Sequence, residues 1–192
     1  MRVFVALSLP SPALAGAGEI QARLRREYGG IRWVEPNRFH ITLSFLGEVE
    51  RKDLSCLSTA VRELVRGREA LRLSFGGVGF FPERRRARII FLEFEEGREK
   101  LASLLQACRR IMTAAGFLPA GGDPRPHLTL GRCRSERDFA SDELPITAGD
   151  AFLAEEVCLY ESVLTPQGPH YRPLGREVLT GKAETEGGNG FG

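Results

Sequence analysis

The chain contains the pattern His-x-Thr-Leu twice. It stands at residues 40–43, inside RFHITLSFLGE (38–48), and at residues 127–130, inside RPHLTLGRC (125–133). In an extended chain successive side chains point to opposite faces. Phe39, Ile41, Leu43 and Phe45 would then form an apolar face, and His40, Thr42 and Ser44 a polar one. The apolar face reads as packing on a core, and the strand reads as central in its sheet. The polar row has no packing purpose. The chain has only three histidines, and two of them begin this pattern. One strand histidine is most simply a core residue bonded to a carbonyl. A matched pair is not explained that way, because packing gives no reason to repeat a polar face.

The rest of the chain interleaves helices with strands. Val3, Val5, Leu7 and Leu9 alternate and predict a strand over 2–9. Ser11-Pro12 predicts a helix start with serine as N-cap, and Gly29-Gly30 a stop. A short strand, IRWVEP (31–36), leads into the first His strand. A second helix is expected over 50–66, closed by Gly67, and a third over 97–115, ended by Gly116. Strands are expected at 71–75 and 87–94, and a mostly stranded C-terminal part over 147–179 with a turn around TPQGP. The hairpin-like strand pairs favour antiparallel sheets, hence α+β rather than a parallel doubly wound fold. The segment GGVG (76–79) reads as a tight turn; it lacks the Lys-Ser/Thr and helix start of a phosphate loop. Residues 1–180 read as one domain and the Gly-rich 181–192 as a disordered tail.

Of the 192 residues, 27 are basic and 25 acidic, a net charge of +2. That excludes a strongly basic nucleic-acid coat protein but not a local anion site. Cys56, Cys108, Cys133 and Cys158 are scattered, with no Cys-x-x-Cys pair, and read as reduced, buried thiols in a cytoplasmic protein. No apolar run is long enough for a membrane span, and MRVFVALSLP is not a secretory signal. The expectation is a soluble monomer.

The segments HITLSFLGE and PHLTLGR resemble the paired motifs of the 2H phosphoesterase superfamily. The resemblance extends through RVFVALSLP, RWVEPNRFHITLSFLGEV, GVGFFPE and LYESVLTPQGPHYRPL, and is narrower still to bacterial and archaeal RNA 2′,3′-cyclic phosphodiesterases, historically called 2′-5′ RNA ligases. It implies a two-lobed α+β fold with pseudo-twofold symmetry: antiparallel sheets, helices outside, and one His-x-Thr strand from each lobe facing a central cleft. Ser44 stands where relatives often carry a longer basic side chain, so one contact to the substrate backbone would be absent.

Opening a cyclic phosphodiester requires a base for water, an acid for the leaving ribose oxygen, and stabilisation of the charge on the non-bridging oxygens. Histidine titrates near neutrality and can serve as either. Thr42 and Thr129 point the same way as their histidines and can donate to phosphoryl oxygens. Arg132 could add charge on resemblance, although an unbroken strand would turn it away from His127. No carboxylate cluster suggests a metal, and no cofactor is expected. The symmetry of the motifs leaves the acid and base interchangeable. The resemblance makes His40 the proton donor and His127 the acceptor, with RNA ending in a 2′,3′-cyclic phosphate as substrate, 2′-phosphate as product, and ATP-independent 2′-5′ ligation as the reverse. Two alternatives are a phosphodiesterase acting on small cyclic nucleotides and an RNA-end-binding module without turnover. His170 reads as a loop histidine, Tyr171 as a hairpin anchor, and Phe80, Phe81 and Trp33 as core, with Trp33 also a candidate for the cleft wall. The run from Arg84 to Arg88 is equally a phosphate grip or a solvated hairpin tip.

Overall fold

A computed structural model describes residues 1–120, 125–140, 150–166 and 168–181. Among the described residues ten strands and three α-helices follow one another as β1 (Arg2–Leu7), α1 (Ser11–Glu27), β2 (Ile31–Trp33), β3 (Ile41–Glu48), α2 (Leu54–Val65), β4 (Leu71–Leu73), β5 (Phe75–Phe81), β6 (Ala87–Phe94), α3 (Arg98–Ala114), β7 (Leu128–Arg137), β8 (Phe152–Ala154), β9 (Glu156–Thr165) and β10 (Gly168–Val178). The strands make two four-stranded sheets, ordered β10-β9-β1-β3 and β2-β7-β6-β5, and a β4-β8 pair. Every pairing is antiparallel. The expected α+β architecture is therefore present, with one His-x-Thr motif on each four-stranded sheet. No helix among the described residues is long and apolar enough to cross a membrane.

Hydrophobic periodicity explains the helices. On α1, Ala13, Ala17, Ile20 and Leu24 form the buried stripe; on α3, Leu101, Leu104, Leu105, Cys108 and Met112 do so. Helix α2 packs on β9 and β10, and α3 on β3 and β4, so both cover the first sheet's side of the core. Gln21 on α1 is buried among apolar groups, and its amide donates to the carbonyls of Val34 (2.6 Å) and Leu130 (2.9 Å). It ties α1 to the second sheet beside the second motif.

Several expectations are corrected. Ser11 lies inside α1; the cap position is Pro10, and no side chain bonds the first turn. The GGVG segment is part of β5, not a turn, and Gly79 has a packing reason. A Cβ there would lie 2.4 Å from the Phe91 ring on the neighbouring strand. Strand β3 is the edge of its sheet, not central. Of the cysteines expected to be buried, Cys108 and Cys158 are, but Cys56 on α2 is exposed and Cys133 on β7 is half-buried. His170 lies in strand β10, opposite Val163, rather than in a loop. Of the two readings of the arginine run, the structure shows the hairpin tip: Arg84–Arg86 form a 3₁₀ turn between β5 and β6, Arg86 and Arg88 converge on Glu136, and Arg84 donates to the Phe139 carbonyl. The expected disordered tail, from residue 182 onward, lies outside the described residues, as do residues 147–149 of the expected C-terminal strand region.

Candidate active site

Each histidine sits just before the first residue of its strand, and a local bond sets its ring. His40 follows a 3₁₀ turn at Pro36–Arg38, and its Nδ1–H donates to the Arg38 carbonyl at 2.7 Å. His127 follows Arg125-Pro126, and its Nδ1–H donates to the Arg125 carbonyl, also at 2.7 Å. A carbonyl can only accept, so Nδ1 carries a hydrogen in both rings. Nε2 is then the nitrogen that gains or loses a proton. The two histidines and their two bonds are equivalent, as the repeated motif suggested.

The strands then bulge at the same motif residue. In β3, Ser44 pairs with Val5 and Thr42 with Ala6, so Leu43 is extra. In β7, Gly131 pairs with Ile90 and Thr129 with Phe91, so Leu130 is extra. A bulge shifts the alternation by one residue. Leu43 and Ser44 both turn inward, as do Leu130 and Gly131. Phe45 and Arg132 therefore turn out, on the side of the histidines and threonines. Simple alternation had put Ser44 with His40 and Phe45 in the core. The structure reverses both: Phe45 is 50% exposed, and Ser44 is 6% exposed with its hydroxyl lacking a hydrogen-bond partner among the described residues. The same bulge resolves the odd spacing of Arg132. At the position matching Ser44, Gly131 is required by space, because a Cβ would meet Ile31 at 2.7 Å and Trp33 at 2.9 Å.

His40, Thr42, His127, Thr129 and Arg132 all line one cleft of about 910 Å³ between the two sheets. All five residues singled out in the sequence are thus brought together. Aromatic groups frame them. On the first sheet, His40 lies 5.0 Å from the Phe4 ring and edge-on to Tyr171 at 5.2 Å. On the second, His127 meets Phe81 at 5.2 Å and Phe91 at 5.4 Å, both edge-on. Phe81, expected in the core, lines the cleft, as does Trp33. Phe45 was missed, although aligning the two motifs would have set it opposite Arg132.

Both imidazoles are held below the usual histidine range. Burial is the main cause for each, since it disfavours the charged form. The Nδ1–H bonds to Arg38 and Arg125 partly oppose it. For His40 the positive charges of His127 and then Arg132 add to the lowering; for His127, Arg132 does. The cleft is thus an apolar-walled site whose fixed positive charge suits an anion. Among the described residues no three His, Cys, Asp or Glu side chains group as metal ligands.

Residues 7–91 match the model of the family described as LigT-like phosphoesterases. The chain is 32% identical over 181 residues to the RNA 2′,3′-cyclic phosphodiesterase of Methanothermobacter thermautotrophicus, covering 91% of this chain and 96% of that one. The chain belongs to the LigT-like phosphoesterase family. A crystal structure from Thermus thermophilus superposes with a TM-score of 0.79 at 30% identity, covering 95% of this chain and all of the other. Escherichia coli LigT complexed with 3′-AMP gives a TM-score of 0.75 at 25% identity, covering 93% and 98%. The LigT-like fold thus spans nearly the whole chain, beyond the part matched by the family model. Both bulged motif strands of this LigT-like phosphoesterase lie within it.

Proposed function

We propose that this LigT-like phosphoesterase opens 2′,3′-cyclic phosphate ends of RNA, with His40 and His127 as its acid and base. The observation that carries the reading is the duplicated geometry. Two imidazoles with identical Nδ1–H anchors share one cleft, and among the described residues Nε2 is free on each. Such a pair can serve both ends of an in-line displacement at phosphorus. His127 Nε2, unprotonated, takes a proton from the attacking water. His40 Nε2–H gives one to O3′ as the P–O3′ bond breaks. The product carries a 2′-phosphate, and the two histidines have exchanged protonation states. The direction of this assignment comes from the family resemblance, because the local geometry of the two histidines is symmetric.

Thr42, Thr129 and Arg132 stand on the same side of their bulged strands. Two hydroxyls and a guanidinium there suit the non-bridging oxygens, whose charge grows in the transition state. That a relative of this fold, Escherichia coli LigT, is crystallised with 3′-AMP supports a nucleotide phosphate as ligand. By microscopic reversibility the same groups would join a cyclic end to a 5′-hydroxyl as a 2′-5′ linkage without ATP. The proposed mechanism uses no metal, and we propose that the enzyme is a monomeric two-lobed unit acting in the cytoplasm.

The deciding experiment is ³¹P NMR of the product from an oligonucleotide ending in a 2′,3′-cyclic phosphate. A 2′-phosphate supports the assignment, a 3′-phosphate reverses the roles of the histidines, and no turnover refutes the enzymatic reading in favour of a binding module.

A further inference from the structure

The cleft does not end at His40. Beyond it lies a polar annex of about 300 Å³, which shares Arg38, His40 and Tyr171 with the cleft and adds Asn37, His170 and Arg176. The carboxylate lining it, Glu35, is held by Arg38 at 3.1 Å. Arg176 is only loosely paired, 3.6 Å from Glu156, whose carboxylate also accepts from Ser8 and Cys158. His170 is exposed on β10. The space on the other flank, beside His127, also has two arginines, Arg109 and Arg125, but is smaller at about 110 Å³ and lies against Leu43 and Leu105.

The stereochemistry of the reaction makes the two flanks unequal. Water enters opposite the bond that breaks, so it stands on one side of phosphorus and O3′ on the other. With His40 at O3′, the terminal ribose, and the chain that continues from its 5′ carbon, lie on the His40 flank. The first upstream phosphate then falls where the annex offers two guanidinium groups, an imidazole and an amide. Guanidinium groups are suited to phosphate by geometry as well as charge. We propose that the annex binds the phosphate on the 5′ side of the terminal nucleotide, through Arg176, His170 and Arg38. The favoured substrate is therefore an oligonucleotide end rather than a nucleoside cyclic phosphate. This rests on the acid/base reading given above.

The test compares ligands that differ only in a 5′-phosphate. Calorimetric binding of uridine 2′-phosphate and uridine 2′,5′-bisphosphate is measured for the wild type, Arg176→Lys, and the double variant Arg176→Ala/His170→Ala. In parallel, kcat/KM is measured on uridine 2′,3′-cyclic phosphate with and without a 5′-phosphate. In the wild type the 5′-phosphate should raise affinity and kcat/KM about ten- to hundredfold, the usual range for charge-assisted bonds. In the double variant the gain should fall below about threefold with the melting temperature unchanged, while Arg176→Lys keeps most of it. No gain in the wild type, or an undiminished gain in the double variant, overturns the annex. The binding measurement needs no turnover. A variant-sensitive gain in affinity from a protein that opens neither cyclic phosphate would retain the phosphate site and reject the acid/base reading.

Discussion

Gln21 gives the sharpest test of how the second motif strand is held. Its side chain is 4% exposed, and its amide donates to the Val34 and Leu130 carbonyls at 2.6 and 2.9 Å. Leu130 is the extra residue of the β7 bulge, and its carbonyl also accepts from the Val34 N–H at 2.9 Å. Replacing Gln21 by leucine keeps the volume and removes both bonds. The Leu130 carbonyl retains one partner, so its loss is that of an ordinary hydrogen bond, about 1 kcal/mol. The Val34 carbonyl, in a part-buried setting at the cleft wall, loses this donor, at about 1–3 kcal/mol. Gln21→Leu should therefore destabilise by about 2–4 kcal/mol. In a chain of this size that lowers Tm by about 4–16 °C. Gln21→Glu should be worse, because a carboxylate presents oxygens to two carbonyl oxygens and can donate only by taking up a proton. Calorimetric melts of both variants give the check. If Gln21→Leu melted within about 2 °C of the wild type, or if Gln21→Glu were the more stable, the two-carbonyl account of the bulge would be wrong.

His40→Ala and His127→Ala should each lower kcat by about 10²–10⁴-fold on a cyclic-phosphate oligonucleotide. Thr42→Ala and Thr129→Ala should cost less, and equal losses for all four would remove the distinction between proton transfer and hydrogen bonding. The free enzyme holds both histidine pKa values below the ordinary 6.5. The profile of kcat/KM, which needs one ring charged and one neutral, should be bell-shaped with its maximum below pH 6.5 and decline as pH rises through the upper value. Stability runs the other way. A lowered folded-state pKa contributes stability that is complete above the unfolded value and is lost as pH falls through the folded one. Thermal melts should accordingly fall on acidification from pH 7, by less in His40→Ala and His127→Ala than in the wild type. Excess EDTA should leave turnover unchanged; loss with EDTA and recovery with a divalent ion would overturn the metal-independent mechanism.

Much of the protein was legible in local sequence. The 3.6-residue stripe of α3 and the run that forms β6 depend on residues close in the chain, and both elements form within a residue of where the pattern puts them. The paired His-x-Thr motifs named four residues that do line one cleft, and the family resemblance added the fifth, Arg132. What alternation could not supply was the side on which each later residue faces. A bulge is set by the register of the neighbouring strand, here β1 against β3 and β6 against β7, and those partners lie far away in sequence. That non-local pairing sends Phe45 and Arg132 into the cleft and Ser44 into the interior. Tertiary contact likewise decides that Gly79 belongs to a strand, because the Phe91 ring occupies the space of its missing side chain. It also places Tyr171 beside His40, through the β10-β9-β1-β3 order of the sheet. The chemistry of the motifs is carried by residue type and spacing. Which side chains surround them depends on how distant strands meet, and no local pattern encodes that.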